Sequence, residues 1–362
     1  MKKKINVTRT FLPPLEKYTN LMGKLWDTRQ LTNRGDYVLG LETNIQNYLS
    51  STTKPLLVCN GTVALQLSIK ALGLKGEIIT TPFSYVATTS SIVWEGCTPV
   101  FVDINPEYLT IDETKIERSI TEKTSAILAT HVYGSPCNVE QIEKIAKKFN
   151  LKVIYDAAHC FGVKYKGKSI FDYGDISICS FHATKIFHTG EGGGIFCNDP
   201  KLYQKIFNHH NFGHKDEVSF HGLGINGKMN ELNAAMGHAV LPYMDQVISA
   251  RKMASEYYNA TIQWDSIRKP ELRKGTSYNY AYYPIIFESE EHLLSIQKKL
   301  NAQNIFPRRY FYPSLNTIEY TGNQEMEISE HIASRVLCLP LFVGIEENEL
   351  ELICSILNSS LC

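Results

Sequence analysis

Ser180-Phe181-His182-Ala183-Thr184-Lys185, followed by Gly190-Glu191-Gly192-Gly193-Gly194, is the stretch whose residue types could do chemistry. The β-rich run Asp175–Phe181 leads into it, and the short apolar run Ile195-Phe196-Cys197 follows the glycines. One lysine therefore sits on a tight connection between segments that read as buried strands. Burial disfavours the ammonium form, lowers the pKa and makes the amine a nucleophile. Such an amine can form a Schiff base with an aldehyde or ketone. On this reading Lys185 takes pyridoxal 5′-phosphate (PLP); the plain alternative is a surface lysine in a loop.

The elements that must position this lysine follow from hydrophobic patterning. Pro55–Cys59 reads as a buried strand closed by Asn60-Gly61-Thr62, and a helix runs from Val63 to Leu72, stopped by Gly73. Strand, short turn and helix N-terminus bring free N–H groups and the helix dipole to one point, an arrangement that binds phosphate. The alternative is a helix capped by Thr62 or Asn60 that binds nothing. Strands are expected at Ile78–Thr80, Val100–Val102, Ala126–Ala129 and Val153–Tyr155, separated by helices through Ile92–Trp94, over 112–120 and over 138–149. Short β-branched runs without alternation, separated by helices, predict an α/β fold with a mainly parallel sheet covered on both faces. Ligands in such sheets sit off the carboxyl ends of strands. Gly61-Thr62, Tyr85, Asp156 and Ser180–Lys185 all fall at such ends, and that convergence argues for one site. Before the first strand, an amphipathic helix is expected around Leu15–Trp26 and another over Tyr37–Leu49, with the polar turn Leu31–Gly35 between them. After Pro242 a helix over Tyr243–Tyr258 links to a smaller α+β unit with a strand at Tyr282–Phe287 and helices at 290–302 and near 346–358. The expected division is 1–245 and 246–362.

At 362 residues, about two domains are expected. Lys+Arg and Asp+Glu both number 37, so no net field points to nucleic acid, and no helix-turn-helix is recognisable. The nine cysteines are scattered without Cys-x-x-Cys, which reads as free thiols in a reducing compartment. The basic start Met1-Lys2-Lys3-Lys4 has no apolar stretch after it, and no run approaches membrane-spanning length, so a cytoplasmic location is expected. No Gly-x-Gly-x-x-Gly follows the first strand, no Walker loop is present, and no His/Cys cluster has metal-ligand spacing. The adjacent His209 and His210 diverge on either a helix or a strand.

Together, Asp156-Ala157-Ala158-His159, Ser180–Lys185 with Thr189–Gly193, and Gly224-Ile225-Asn226-Gly227-Lys228-Met229-Asn230-Glu231-Leu232-Asn233-Ala234-Ala235 resemble the sugar-nucleotide aminotransferases of the DegT/DnrJ/EryC1/StrS family. The resemblance covers nearly the whole chain and implies fold type I and PLP. It makes Lys185 the Schiff-base lysine and proton carrier, and Asp156 the carboxylate that keeps the pyridine nitrogen protonated. Tyr85 matches the aromatic stacked on the ring, Gly61, Thr62 and Ser180 the phosphate donors, and Asn226 an asparagine reaching the phosphate from a neighbouring subunit. That last match implies a homodimer with shared active sites. His159 stands where many relatives have glutamine, beside the phenolic oxygen; it can donate a hydrogen bond, and it could also titrate. Lys228 stands where many relatives have arginine, offering a point charge in place of a bidentate fork. Candidate contacts to a substrate diphosphate are Thr32, Asn33, Lys228, Arg308, Arg309 and Tyr310, with a solvated basic loop as the alternative.

The reaction this resemblance implies is ping-pong transfer of the amino group of L-glutamate to a nucleotide-linked keto-deoxy sugar. The wording of Thr81–Thr88 and Ser180–Lys185 looks closest to family members forming dTDP-4-amino-4,6-dideoxyglucose, which implies amination at C4. Amination at C3 and UDP- or GDP-linked sugars remain open. So do a PLP sugar dehydratase, some of which carry histidine in place of the lysine, and a non-catalytic regulator.

Overall fold

The computed structural model describes residues 4–322 and 324–359; Met1–Lys3 of the basic start, and Cys362, lie outside the described residues. The central sheet has seven strands in the order Leu56–Val58, Gly193–Phe196, Ile176–Ser180, Lys152–Asp156, Thr124–Thr130, Glu77–Thr80, Thr98–Phe101. Every pairing is parallel except those of Gly193–Phe196, which runs antiparallel to both its neighbours. The unalternated apolar runs have two buried faces. Leu56, Val58, Ala126, Leu128, Ile176 and Ile178 point into one core with the helix Gly61–Leu72. Leu57, Ile127, Ala129, Val153, Tyr155 and Cys179 point into the other, against the helices Asp36–Leu49 and Val139–Phe149. Successive side chains on a strand face opposite ways, so one run feeds both layers.

Most expected elements form within a residue or two of their anticipated ends, with one correction. Residues 112–120 do not make a continuous helix but two short 3-10 turns, Glu113–Lys115 and Glu117–Ser119. Tertiary contacts take over there: Glu113 is buried and held by Arg273 Nη2 (3.0 Å) and Asn138 Nδ2 (2.7 Å). Three helices not anticipated are Pro200–His210, Glu231–Val240 and Glu327–Arg335. His209 and His210 close the first of these; among the described residues, no group of three or more His, Cys, Asp or Glu could hold a metal ion.

A second core gathers Tyr258, Ile285, Phe287, Leu293, Ile296, Leu337 and Ile353. Its antiparallel sheet pairs Pro284–Phe287 with Ile267–Arg268 and Val336–Cys338. The leading strand Ile5–Asn6 runs parallel to Ile305–Phe306 and joins this unit. Phe83 and Tyr133, on segments that follow two strands of the large sheet, pack with Ile286, Phe311 and Val336 from the smaller unit. The described cysteines are free thiols, all buried except the half-buried Cys59. Among the described residues, no helix is long and apolar enough to cross a membrane.

Candidate active site

A cavity of ≈ 430 Å³ opens at the carboxyl ends of the central strands, lined by Asn60, Gly61, Thr62, Tyr85, Asp156, His159, Ser180, Lys185, Tyr282, Arg308, Tyr310 and Phe311 among others. Thus seven of the eight residues assigned to coenzyme binding from the sequence meet at one place.

One end of the cavity is built by the helix Gly61–Leu72, whose N-terminus can receive an anion. Its N-cap is Asn60, whose Oδ1 accepts from the Val63 N–H (2.8 Å). The N–H groups of Gly61 and Thr62, at the first two helical positions, have no carbonyl a turn earlier to donate to. Close approach requires glycine at position 193 and leaves little room at position 61. A Cβ on Gly61 would lie 3.0 Å from Ser180 Cβ; one on Gly193 would lie 2.7 Å from Asn60 C and O and 2.9 Å from Gly61 N. The antiparallel strand Gly193–Phe196 thereby passes against the turn Asn60–Thr62, and Ser180 lies against Gly61.

Asp156 ends the strand Lys152–Asp156 and is buried. Its Oδ2 accepts from Thr88 Oγ1 (2.7 Å) and its Oδ1 from the Ala158 N–H (3.1 Å). Burial raises its pKa, against those two hydrogen bonds and the charge of Lys185, all of which lower it. A buried carboxylate in this condition fits a cationic N–H placed beside it. Lys185 is half-buried, and its Nζ donates to Tyr282 Oη (3.4 Å). Desolvation lowers its pKa, opposed chiefly by the Asp156 charge.

His159 resolves differently from the titrating group that its residue type allowed. The Tyr133 N–H donates to its Nδ1 (3.2 Å), so the neutral ring carries its proton on Nε2. Its ring stacks on Phe311 (5.7 Å, 8°) and meets the edge of Tyr282 (4.9 Å, 69°). Burial, with Lys185 nearby, holds its pKa well below the ordinary histidine range. The side chain is held as a neutral ring with its N–H on Nε2. Tyr85, half exposed, precedes the helix Val86–Trp94 and lines the cavity.

The remaining candidates separate. Arg308 and Tyr310 line the cavity, with the guanidinium 4.9 Å from the tyrosine ring centroid. Arg309 does not: its fork is engaged by Glu290 and by the Ser334 carbonyl (2.8 Å), and it lies over Tyr312. Lys228 is also outside, donating to Asn211 Oδ1 (2.8 Å) over the Phe212 ring (4.6 Å). Asn226 is exposed and bridges to Asn211, away from the cavity of its own chain. Thr32 and Asn33 are exposed on a turn that the cavity does not touch. Two contributors were not singled out from sequence. Thr88 stands one helical turn after Tyr85, a spacing that could have found it. Tyr282 precedes a strand with no local signal of its role.

Phosphate-binding turn, buried carboxylate, desolvated lysine and neutral donor form the constellation of a fold-type-I PLP enzyme, and the residues present fit that coenzyme. A family model described as the DegT/DnrJ/EryC1/StrS aminotransferase family matches residues 16–358. The chain belongs to this family and is a PLP-dependent aminotransferase. It is 43% identical to the dTDP-4-amino-4,6-dideoxy-D-glucose transaminase of Shigella dysenteriae, across 98% of each chain. The solved structure of DesI in the presence of its TDP-sugar product superposes with a TM-score of 0.94 at 28% identity, covering 100% of this chain and 93% of that one. The structure of NtdA from Bacillus subtilis with bound cofactor PMP has a TM-score of 0.88 at 27% identity, covering 96% and 82%.

Proposed function

We propose that this protein transfers the amino group of L-glutamate to C4 of dTDP-4-dehydro-6-deoxy-D-glucose, forming dTDP-4-amino-4,6-dideoxy-D-glucose. The observation that carries the reading is Lys185 and Asp156 meeting in one cavity, in a chain 43% identical over 98% of its length to a transaminase of that product. Bound PLP supplies an electron sink for the pair left when the amino-acid Cα loses its proton.

The protein's own groups do the rest. Gly61 N–H, Thr62 N–H and Ser180 Oγ hold the phosphate, and Tyr85 covers the ring. Asp156 keeps the proton on the pyridine nitrogen, and His159 Nε2–H donates to the phenolic oxygen. Lys185 Nζ, once released, takes the proton from the amino-acid Cα, as a base of lowered pKa. Arg308 and Tyr310 line the route by which a diphosphate would enter. Residues 1–245 would carry the coenzyme, with 246–362 as the smaller unit closing over it.

The working form in this proposal is a homodimer whose sites are completed across the interface, with Asn226 reaching the partner's phosphate. Its position outside its own cavity supports that reading. So do the exposed apolar side chains Phe212, Val218, Phe220, Leu223 and Ile225 on the loop that leads to it. The reaction would take place in the cytoplasm and feed O-antigen or related glycan synthesis.

The test is product NMR after incubation with glutamate and a panel of dTDP-, UDP- and GDP-linked keto sugars. The expected product is the dTDP sugar carrying its amine at C4. An amine at C3, or turnover confined to UDP or GDP sugars, would sink the assignment.

A further inference from the structure

Beside Asp156 runs a row of hydroxyls with no coenzyme contact assigned above; its middle member, Ser84, also lines the cavity. Thr130 Oγ1 is 3.0 Å from Ser84 Oγ, Ser84 Oγ is 2.7 Å from Thr88 Oγ1, and Thr88 Oγ1 donates to Asp156 Oδ2 at 2.7 Å. All four side chains are buried. The three hydroxyls come from three elements: Thr130 ends the strand beside that of Asp156, Ser84 lies in the turn before Tyr85, and Thr88 is in the first turn of the following helix.

Each hydroxyl has a single proton. With the Thr88 proton on the carboxylate, Ser84 has to donate to Thr88, and Thr130 to Ser84. The row therefore has one direction, ending on Asp156 Oδ2. Hydrogen bonds in series polarise one another, more so in a low-dielectric interior. Protonating Asp156 at Oδ2 would make that oxygen a donor to Thr88 Oγ1 and release the row from this direction.

We infer that Thr130, Ser84 and Thr88 form a directed relay that keeps Asp156 ionised in its buried position, with Ser84 and Thr130 acting as positioning residues through Thr88. The inference rests on Asp156 being the partner of the pyridine nitrogen. The groups that face this carboxylate from elsewhere are Lys185 on the glycine-rich connection, Cys179 on the adjacent strand, Cys137 and Cys160 from the loops beneath, and Tyr282 from the smaller unit. Of these, only Lys185 favours the anion. The thiols and the tyrosine are buried and neutral, so the hydroxyl row supplies what they do not.

Removing a donor to a carboxylate raises its pKa. The pH below which the holoenzyme loses its bound coenzyme should therefore move upward. The experiment measures coenzyme retention and its absorbance maximum from about pH 8 down to about pH 5, for the wild type and for Thr88→Val, Thr88→Ser, Ser84→Ala and Thr130→Val. Thr88→Val is expected to move the acid limb up by about one pH unit, Ser84→Ala by less, and Thr130→Val by least, with Thr88→Ser returning it to the wild-type position. A purely structural role would lower the melting temperature without moving the limb in this order. The relay is overturned if Ser84→Ala follows the wild-type limb, or if Thr88→Ser shifts as far as Thr88→Val. Should Thr88→Val fail to fold, Ser84→Ala decides the matter alone. An Asp156→Asn holoenzyme with the wild-type limb would instead overturn the assignment of Asp156, and the relay's purpose with it.

Discussion

Asp156 is the residue where folding and chemistry pull against each other. Without a coenzyme, burial is the largest influence on its pKa and raises it, against Thr88, the Ala158 N–H and Lys185. The sign follows: an acid whose folded pKa is raised costs the folded state stability at pH above that pKa, and the cost disappears as pH falls through it. Asp156→Asn has no charge to bury: its one amide oxygen can accept from the Ala158 N–H, and its NH2 can donate to Thr88 Oγ1, a hydroxyl that can accept. The apoprotein of this variant should melt at a higher temperature than wild-type apoprotein at about pH 8, with the gap narrowing as pH falls through the raised carboxylate pKa. An equal or lower melting temperature at the higher pH would contradict the burial argument. The same variant should lose transamination, because the amide cannot hold the ring proton. Lys185→Ala should lose both turnover and the absorbance of lysine-linked coenzyme; turnover persisting in it would remove Lys185 from the mechanism. These two residues were legible in the sequence because each sits at a strand end inside a short distinctive motif. The neutral state of His159 was not. It depends on the Tyr133 N–H and the Phe311 ring, which are remote in the chain.

Among the elements, the glycine-rich connection has a reason that hydropathy could not give. Gly193 faces the backbone of Asn60 and Gly61 across an antiparallel pairing that periodicity leaves undirected. Gly193→Ala should therefore push back the phosphate-binding turn and weaken coenzyme binding by about tenfold or more, since backbone cannot yield as a side chain can. Equilibrium dialysis would measure this, and unchanged affinity would remove the turn as the phosphate anchor. Glu231, inside the motif 224–235, has a structural duty instead: its carboxylate accepts from the N–H groups of Gly35 and Tyr37 (2.8 Å each), closing the N-terminus of the helix Asp36–Leu49. Glu231→Ala should cost about 2 kcal/mol in urea unfolding, as a buried charged acceptor serving a helix N-terminus is lost. The strands and the helix Gly61–Leu72 were readable because local pattern and packing agree. The helix expected over 112–120 was not, because Arg273 and Asn138 capture Glu113 from distant segments. Pro200–His210 carried a usable sign, Asp199 as N-cap with proline at the first helical position.

At the scale of the whole molecule, the question is what completes the cavity. One chain brings Lys185, Asp156, Tyr85, His159 and the phosphate turn together, yet leaves Asn226 exposed beside Asn211. The motif that marks Asn226 says nothing of which subunit's phosphate it serves, because a sequence does not distinguish contacts within a chain from contacts between copies. If each site takes its lysine from one subunit and its asparagine from the other, two inactive variants should complement. In a hybrid of Lys185→Ala with Asn226→Ala, one site carries both lesions and the other carries neither. Equal mixing with free exchange gives half the dimers as hybrids, each with one intact site, so activity should recover to about a quarter of wild type. With unshared sites, every site in the hybrid keeps one lesion and the mixture stays at the level of its parents. Exchange is verified independently with differently tagged subunits recovered in one dimer. Demonstrated hybrids without recovered activity would place Asn226 outside the partner's site and leave each chain to bind its coenzyme alone.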